Sequence, residues 1–193
     1  VPLLSFGHAP YLDTSSIALN ERPIDLLFFG SMNERRRRII QEIEDAGGHV
    51  TLLDGPVYGP ERDALIRQSK AVLNCHYYES ARFEQARVFQ CLSQGTPVIS
   101  ERLAATRPAA QFENAVFWVP EGGWQAFIRG QFLTEGFASA AQNKLQSFQQ
   151  HDLVEGYADA FVFAQSFAAA HLERIASGPW TPDRLHIGSG KDY

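Results

Sequence analysis

Cysteine is scarce in this sequence, and the two cysteines stand apart from any recognisable ligand pattern. Cys75 and Cys91 occur among 193 residues without a CxxC pair or a Cys/His spacing suited to a metal. A disulfide scaffold needs several cysteines, and a structural zinc site needs closely spaced ligands. We therefore expect no disulfide scaffold and no metal site, but two buried, reduced thiols in a cytoplasmic protein.

Long apolar runs and an excess of positive charge are also missing. No apolar stretch approaches the roughly 18 residues that a membrane-spanning helix needs, and the first residues show no signal-peptide pattern. With 17 Lys and Arg against 22 Asp and Glu, the net charge is -5. This balance argues against a general nucleic-acid binder, although it is compatible with a local basic pocket.

Residues 1–22 have the composition of a hinge or linker. They contain Pro2, Gly7, Pro10 and a polar run at 13–16, and they predict no regular helix or strand. The sequence also starts without Met. From this start we expect the chain to be a fragment of a longer polypeptide.

Between residues 23 and 150, patterns of buried strands alternate with patterns of helices. Residues 24–29 are a nearly continuous apolar run closed by Gly30, as in a strand that is buried on both faces. Ser31 or Asn33 is suited to cap the helix that follows. Further strands are predicted at 50–54, 71–77, 96–101 and 114–121, and further helices at 61–70, from about 84 to 93, from 124 and at 137–150.

This alternation predicts an α/β fold, with a doubly wound, Rossmann-like parallel sheet over residues 23–150. Residues 151–193 form a further segment with a long C-terminal helix from Leu153 to Ile175, ended by Gly178 and Pro179, and an irregular tail. The aromatic residues of this helix, Phe161, Phe163 and Phe167, are expected in the core.

Glycine and basic residues follow the first predicted strand. Ligands bind outside the carboxyl ends of the strands in such sheets, and the free N–H groups of a helix start favour an anion. Gly30 and Ser31 stand at this point, followed by Arg35 to Arg38, of which at most two can face the strand ends. The run has two interpretations. One of these arginines binds a phosphate, or the run is a solvated basic face that pairs with nearby glutamates. The phosphate fingerprints GxGxxG and GxxxxGK are absent.

The stretch 74–101 carries a second cluster of charged residues. Arg82, Glu84 and Arg87 lie just before, or in, the first turn of a predicted helix. Glu84 suits the positive end of the helix dipole, whereas Arg87 does not. The position of Arg87 therefore indicates contact with a ligand oxygen, which a guanidinium can bind with two hydrogen bonds.

The same loop contains ring-bearing residues with two interpretations each. Tyr77 and Tyr78 either stack on a bound base or divide between core and surface. His76 is either an acid/base group or a hydrogen-bonded structural residue at the end of a strand.

The segment RVFQCLSQGTPVI, from Arg87 to Ile99, resembles a helix–Gly–strand motif in the C-terminal half of GT-B glycosyltransferases, of the form RVFEALAxGTPVI. The similarity is to the bacterial group called glycosyl transferases group 1, in its spore-maturation-type branch. The stretch LLFFGSMNERR is similar to the family's phosphate-side loop, and SFGHAPYLD to its interdomain hinge. Gln90 departs from the motif, which carries a glutamate at that position.

The resemblance implies transfer of a sugar from a nucleotide-sugar donor to an unknown acceptor, without a metal or other cofactor. This chain would be the donor-binding domain, and the N-terminal domain that binds the acceptor would be missing, so no catalytic residue is assigned. The diphosphate is expected near the first loop and Arg87, and the base and ribose near loops 54–60 and 76–84. The implied donor-binding residues are Gly30, Ser31, Arg35, His76, Tyr77, Arg82, Glu84, Arg87 and Gln90.

Two other functional classes stay open. A non-catalytic Rossmann-like interaction domain would bind a protein partner and no nucleotide. A flavodoxin-like or receiver-like domain is the third, although a receiver needs an acidic cluster where Gly30 and Ser31 stand.

Overall fold

A parallel five-stranded sheet forms the centre of the structure. The computed structural model describes residues 6–13, 17–53, 55, 57–79 and 82–177, with side chains as far as 171. The strand order is β2-β1-β3-β4-β5 and every neighbouring pair is parallel, which confirms the predicted doubly wound, Rossmann-like α/β fold. The strands are β1 (Ile24–Phe29), β2 (Val50–Leu53), β3 (Ser69–Asn74), β4 (Val98–Arg102) and β5 (Phe117–Pro120).

Helices connect the strands and follow the last one. They are α1 (Glu34–Asp45), α2 (Gly59–Arg67), α3 (Gln85–Ser93), α4 (Ala110–Glu113), α5 (Trp124–Phe127), α6 (Phe137–Gln149) and α7 (Leu153–Ser177). A π-helical turn, Ile128–Phe132, continues directly from α5. Two short 3-10 helices, Pro10–Leu12 and Leu19–Glu21, precede β1.

The strands bury apolar side chains on both faces of the sheet, as the continuous apolar run of β1 predicts. Leu26 and Phe28 belong to one core cluster, together with the isoleucines of α1. Leu27, between them, belongs to a second cluster that includes Val88 of α3. Because successive residues of a strand point to opposite faces, this division places helices on both sides of the sheet.

Several predicted boundaries are displaced, and hydrogen bonds account for the shifts. β3 begins at Ser69 and ends at Asn74, rather than covering 71–77, and α2 ends correspondingly earlier. Beyond Asn74 the backbone bonds to side chains, because the Cys75 carbonyl accepts from Arg36 and the His76 N–H donates to Glu101. The strand predicted at 114–121 begins at Phe117, because the short helix α4 precedes it and the Val116 N–H donates to the Phe112 carbonyl. Asp54, predicted to end β2, and Gly178 and Pro179, predicted to end α7, lie outside the described residues.

The described part of 1–22, predicted as a hinge or linker, is hydrogen-bonded to the rest of the domain. The His8 N–H donates to the His151 carbonyl at 2.6 Å. Arg22 is buried and donates to the carbonyls of Ser69 (3.0 Å) and Gly95 (2.9 Å), and its burial lowers its pKa to about 10. Arg22 thus links the segment to the start of β3 and to the turn that precedes β4.

The chain divides into two compact units, residues 5–156 and the remainder, of which the structure describes α7 from Tyr157. The prediction that the aromatic residues of α7 lie in the core is wrong. Phe161, Phe163 and Phe167 are 62%, 42% and 53% exposed. Phe163 and Phe167 stack on each other at one-turn spacing, so the aromatic pattern reflects contacts along the helix itself.

The described residues contain no helix whose length and apolarity would let it cross a membrane. Cys75 and Cys91 are both buried and free, as predicted. Burial raises the pKa of each thiol to about 12.

Candidate functional site

A broad cleft of about 1300 Å³ opens beyond the carboxyl ends of β1 and β2. The strand order reverses between β1 and β3, and ligands of doubly wound sheets bind at such a switch point. Four arginines and one carboxylate are the charged groups among its described lining residues: Arg36, Arg37, Arg62, Arg87 and Glu84. Of the nine predicted donor-binding residues, six line the cleft: Gly30, Ser31, Tyr77, Glu84, Arg87 and Gln90.

Gly30 allows the backbone to turn directly beneath two guanidinium groups. Its φ of +132° lies in a region that residues with a Cβ rarely adopt. A Cβ built there would lie 3.1 Å from Nη2 of Arg87 and 3.5 Å from Nη1 of Arg36. The glycine therefore leaves room for both arginines at the floor of the cleft.

Asn33 and Arg36 join the first loop to the end of β3. The Asn33 side chain caps α1 by accepting from the Arg36 N–H at 2.9 Å, and its amide donates to the Tyr77 carbonyl at 2.8 Å. The Arg36 guanidinium is buried and donates to the Cys75 carbonyl from Nε (2.9 Å) and Nη2 (2.6 Å), and to the Ser31 carbonyl from Nη1 (2.7 Å). Burial lowers the pKa of Arg36, and the nearby charge of Arg87 lowers it further.

Arg87 extends from the first turn of α3 into the same space. Its Nη2 lies 2.9 Å from Glu84 Oε2, and its guanidinium carbon lies 5.0 Å from the centre of the Phe29 ring. Its Nη1 is buried and has no hydrogen-bond partner among the described residues. Glu84 also reaches Nη2 of Arg36 at 3.4 Å, so one carboxylate lies between two guanidinium groups.

The first turn of the helix that carries Arg87 has no side-chain cap, and we call it the open first turn of α3. Glu84 occupies the N-cap position of α3, and its side chain makes no capping hydrogen bond. Ala86 of this turn lines the cleft. Unsatisfied N–H groups at a helix start, together with the guanidinium groups nearby, favour a bound anion.

Aromatic rings border the cleft on two sides. Tyr77 is half-buried, with its ring centre 5.2 Å from the Arg36 guanidinium carbon, and it meets the Tyr78 ring edge-on at 4.7 Å. Tyr78 is 66% exposed and Tyr58, from the β2–α2 loop, is 71% exposed. The division of Tyr77 and Tyr78 between packing and surface agrees with one of the two interpretations, while both rings stay accessible from the cleft.

Gln90 holds two residues of α2. Its Oε1 accepts from Nη2 of Arg62 at 3.0 Å, and its Nε2 donates to Oδ1 of Asp63 at 2.8 Å. The amide therefore acts as acceptor and donor at once, which a glutamate carboxylate does not do. This pairing gives the amide at position 90 a structural role in joining α3 to α2.

One of the predicted residues, Arg35, belongs to a neighbouring charged cluster instead. Arg35 makes a bidentate ion pair with Glu101, in which Nη1 donates to Oε1 at 2.8 Å and Nη2 donates to Oε2 at 2.6 Å. This hydrogen bonding raises the pKa of Arg35. Glu101 is 2% exposed and also accepts from the His76 backbone N–H. Arg35 and Glu101 line a separate, smaller cavity of about 150 Å³, beside α5.

His76 is fully buried and does not line the cleft. Its Nε2 lies 3.3 Å from Thr106 Oγ1, and its Nδ1 has no partner among the described residues. Burial lowers the pKa of His76. Arg82, the ninth predicted residue, is exposed and is also absent from the described lining.

Arg62 is a charged cleft residue that the sequence interpretation missed. It lies in the first turns of α2, where its guanidinium carbon is 5.4 Å from the centre of the Phe29 ring and 5.7 Å from that of Tyr58. The signal was available, because an arginine near a helix start that follows a strand is the same pattern that drew attention to Arg35. Arg37, which the sequence interpretation did not separate from the other arginines of its run, is exposed and lines the cleft.

Metal ligands do not cluster anywhere in the part of the chain that the structure describes. No group of three or more His, Cys, Asp or Glu side chains there is arranged to hold a metal ion. The arginines are therefore the cationic groups that the described cleft offers to a ligand.

Comparison with known proteins gives little further information. No family model matches the chain. Over 78 residues it is 35% identical to the uncharacterized protein L138 of Acanthamoeba polyphaga mimivirus. The match covers 40% of this chain and 9% of the viral protein, so the similarity is confined to one segment of each.

Proposed function

We propose that this chain is the donor-binding domain of a glycosyltransferase of the GT-B type, which moves a sugar from a nucleoside diphosphate sugar to an acceptor. The observation that carries the proposal is the charge of the cleft at the strand-order switch point, where the described lining has four arginines against one carboxylate. Two of these guanidinium groups lie against the glycine turn after β1.

In this proposal the diphosphate lies over Gly30 and Ser31, near Arg36, Arg87 and the open first turn of α3. The guanidinium groups and the helix N–H groups stabilise the charge that grows on the diphosphate as it leaves, which is electrostatic stabilisation of the transition state. Tyr58 and Tyr77 offer ring faces for the base. An N-terminal domain of the full-length enzyme binds the acceptor and supplies the catalytic base. The free thiols suit a cytoplasmic protein.

Titration calorimetry with UDP, GDP and ADP tests the proposal. Wild-type protein is expected to bind at least one of them, and Arg87→Ala to lose about tenfold or more in affinity, because a charge-assisted hydrogen bond contributes about 1.5–3 kcal/mol. Arg102→Ala is the matched control. Arg102 also pairs with a glutamate (Glu113, 2.8 Å) and lies over a ring (Trp118, 5.2 Å), but outside the cleft.

Equal heats for wild type and Arg87→Ala, or no heat with any of the three nucleotides, would reject the proposal. A loss of affinity in Arg102→Ala equal to that in Arg87→Ala would show that the effect comes from general charge rather than from the cleft.

The exposed aromatic residues of α7 favour a second candidate, the non-catalytic interaction domain. Phe161, Phe163 and Phe167 present apolar surface that a protein partner could cover. This candidate predicts no nucleotide binding, so the same titration separates the two functions.

A further inference from the structure

Arg62 is held in place on the wall of the cleft by two rings and an amide. Its guanidinium carbon lies between 5 and 6 Å from the centres of the Phe29 and Tyr58 rings, at 5.4 Å and 5.7 Å. Its Nη2 donates to Gln90 at 3.0 Å. Its Nε is buried and has no hydrogen-bond partner within the described residues. A guanidinium fixed by packing loses little freedom when it binds, which favours recognition of a ligand.

The partner of Arg62 is neutral, and this distinguishes it from Arg87. Arg87 forms an ion pair with Glu84 at 2.9 Å, whereas no ion pair of Arg62 occurs among the described residues. Gln90 accepts from Arg62 without cancelling its charge. The charge of Arg62 is therefore not paired directly with a carboxylate among the described residues, and it is available to an anion in the cleft.

The two hydrogen bonds of Gln90 require an amide at this position. Its Nε2 donates to the Asp63 carboxylate at 2.8 Å, so a carboxylate at position 90 would face Asp63 without a proton between them. A glutamate there would also form an ion pair with Arg62 and neutralise it. The Asp63–Gln90–Arg62 chain thus orients Arg62 and preserves its charge.

Arg62 and Arg87 lie close enough to share one ligand. Both guanidinium carbons are near the same Phe29 ring, at 5.4 Å and 5.0 Å from its centre, so they are no more than about 10 Å apart. Together they present two cationic groups to the cleft from α2 and α3.

We propose that Arg62 is a specificity-determining residue, a second anion-binding arginine that makes the cleft prefer a ligand with two linked phosphoryl groups over a ligand with one. The inference extends the proposed function, on which it rests for the nucleotide part of the ligand. Gln90 is its positioning residue and acts through Arg62.

The affinities for inorganic pyrophosphate and orthophosphate, measured by calorimetry, test this role. These probes carry no base, so the result does not depend on the identity of the nucleotide. Wild type is expected to bind pyrophosphate about tenfold or more tightly than orthophosphate. The two phosphoryl groups of pyrophosphate need two arginines, whereas one arginine satisfies orthophosphate. Arg62→Ala is expected to reduce this preference to threefold or less.

Two further variants separate charge from folding. Gln90→Glu is expected to reduce the preference as Arg62→Ala does, and to lower the melting temperature because the new carboxylate faces that of Asp63. In the double variant Asp63→Asn with Gln90→Glu, the new amide can donate to the new carboxylate, so the melting temperature should return to the wild-type value while the preference stays low. Arg67→Ala is the matched control, since Arg67 lies on the same helix outside the cleft and should leave the preference unchanged.

A wild-type preference that persists in Arg62→Ala and in the double variant would overturn the inference, as would a wild-type protein with no preference for pyrophosphate. If pyrophosphate binds with the predicted dependence on Arg62 while UDP, GDP and ADP do not bind, the proposed function fails and the role of Arg62 as an anion-binding residue stands.

Discussion

Replacement of Arg36 by Met should destabilise the domain far more than the same replacement of Arg37, its neighbour. Arg36 is 3% exposed and makes three hydrogen bonds to backbone carbonyls, while Arg37 is exposed. Methionine keeps most of the apolar stem and removes the donors. The pair of variants thus removes the same charge from the same helix turn and differs in the contacts that are lost.

The expected magnitude follows from those contacts. The Cys75 carbonyl accepts both of its Arg36 hydrogen bonds in buried surroundings, and a buried acceptor left without a donor costs about 1–3 kcal/mol. The Ser31 carbonyl is nearer to solvent and can be satisfied by water. Loss of the ring contacts with Phe28 and Tyr77 adds about 0.5–1 kcal/mol each, and relief from burying a guanidinium offsets part of the total.

We expect the free energy of unfolding to fall by about 2–4 kcal/mol in Arg36→Met and by less than about 0.5 kcal/mol in Arg37→Met. Urea unfolding followed by circular dichroism measures both values. With a slope of about 2 kcal/mol per molar urea, the midpoint of Arg36→Met should move down by about 1–2 M. Equal midpoints for the two variants would refute the reasoning that Arg36 joins β3 to the first loop.

Gly30→Ala should cost about 1–3 kcal/mol of stability and weaken nucleoside diphosphate binding, because φ is +132° and the new Cβ would lie 3.1 Å from Arg87. Gly122→Ala, with φ +69° and open space around it, is the control in the same titration, and unchanged binding in Gly30→Ala would contradict the close approach. Burial lowers the pKa of His76 below its ordinary 6.5, so the unfolded chain takes up the proton first as pH falls. Urea midpoints should therefore decline below about pH 6.5 and decline less in His76→Gln, and identical profiles would contradict this. Both cysteine thiols, with pKa raised to about 12, should stay unreactive towards DTNB at pH 8 until the protein unfolds, and immediate reaction of the native protein would disprove their burial.

The fold was predictable because its signals are local. The apolar run of β1, closed by Gly30, needs no knowledge of its neighbours to be recognised as a buried parallel strand. The same holds for the order of strands and helices, which restricts the topology to a doubly wound sheet. Strand ends were less accurate, since the end of β3 at Asn74 depends on side-chain hydrogen bonds from Arg36 and on the buried Glu101 beyond it.

The composition of the cleft was predictable only in part, because it depends on tertiary contacts. Arg35 to Arg38 are four identical residues in sequence, yet Arg35 pairs with Glu101, Arg36 supports the backbone and Arg37 faces the cleft. Which of them does what depends on partners 39 to 66 residues away. The position of Arg62 near a helix start was visible in the sequence, but its ring contacts and its amide partner were not, since they come from β1, the β2–α2 loop and α3.

The most direct test of the proposed function is a map of where a nucleotide binds. Amide resonances of the isotope-labelled protein, followed by NMR during titration with UDP, GDP and ADP, report which backbone groups sense the ligand. We predict that at least one nucleotide shifts the resonances of Gly30, Ser31, Tyr77 and Arg87 together, with little change in α5 and α6. No shift with any of the three nucleotides, or shifts confined to α7, would contradict donor binding in the cleft.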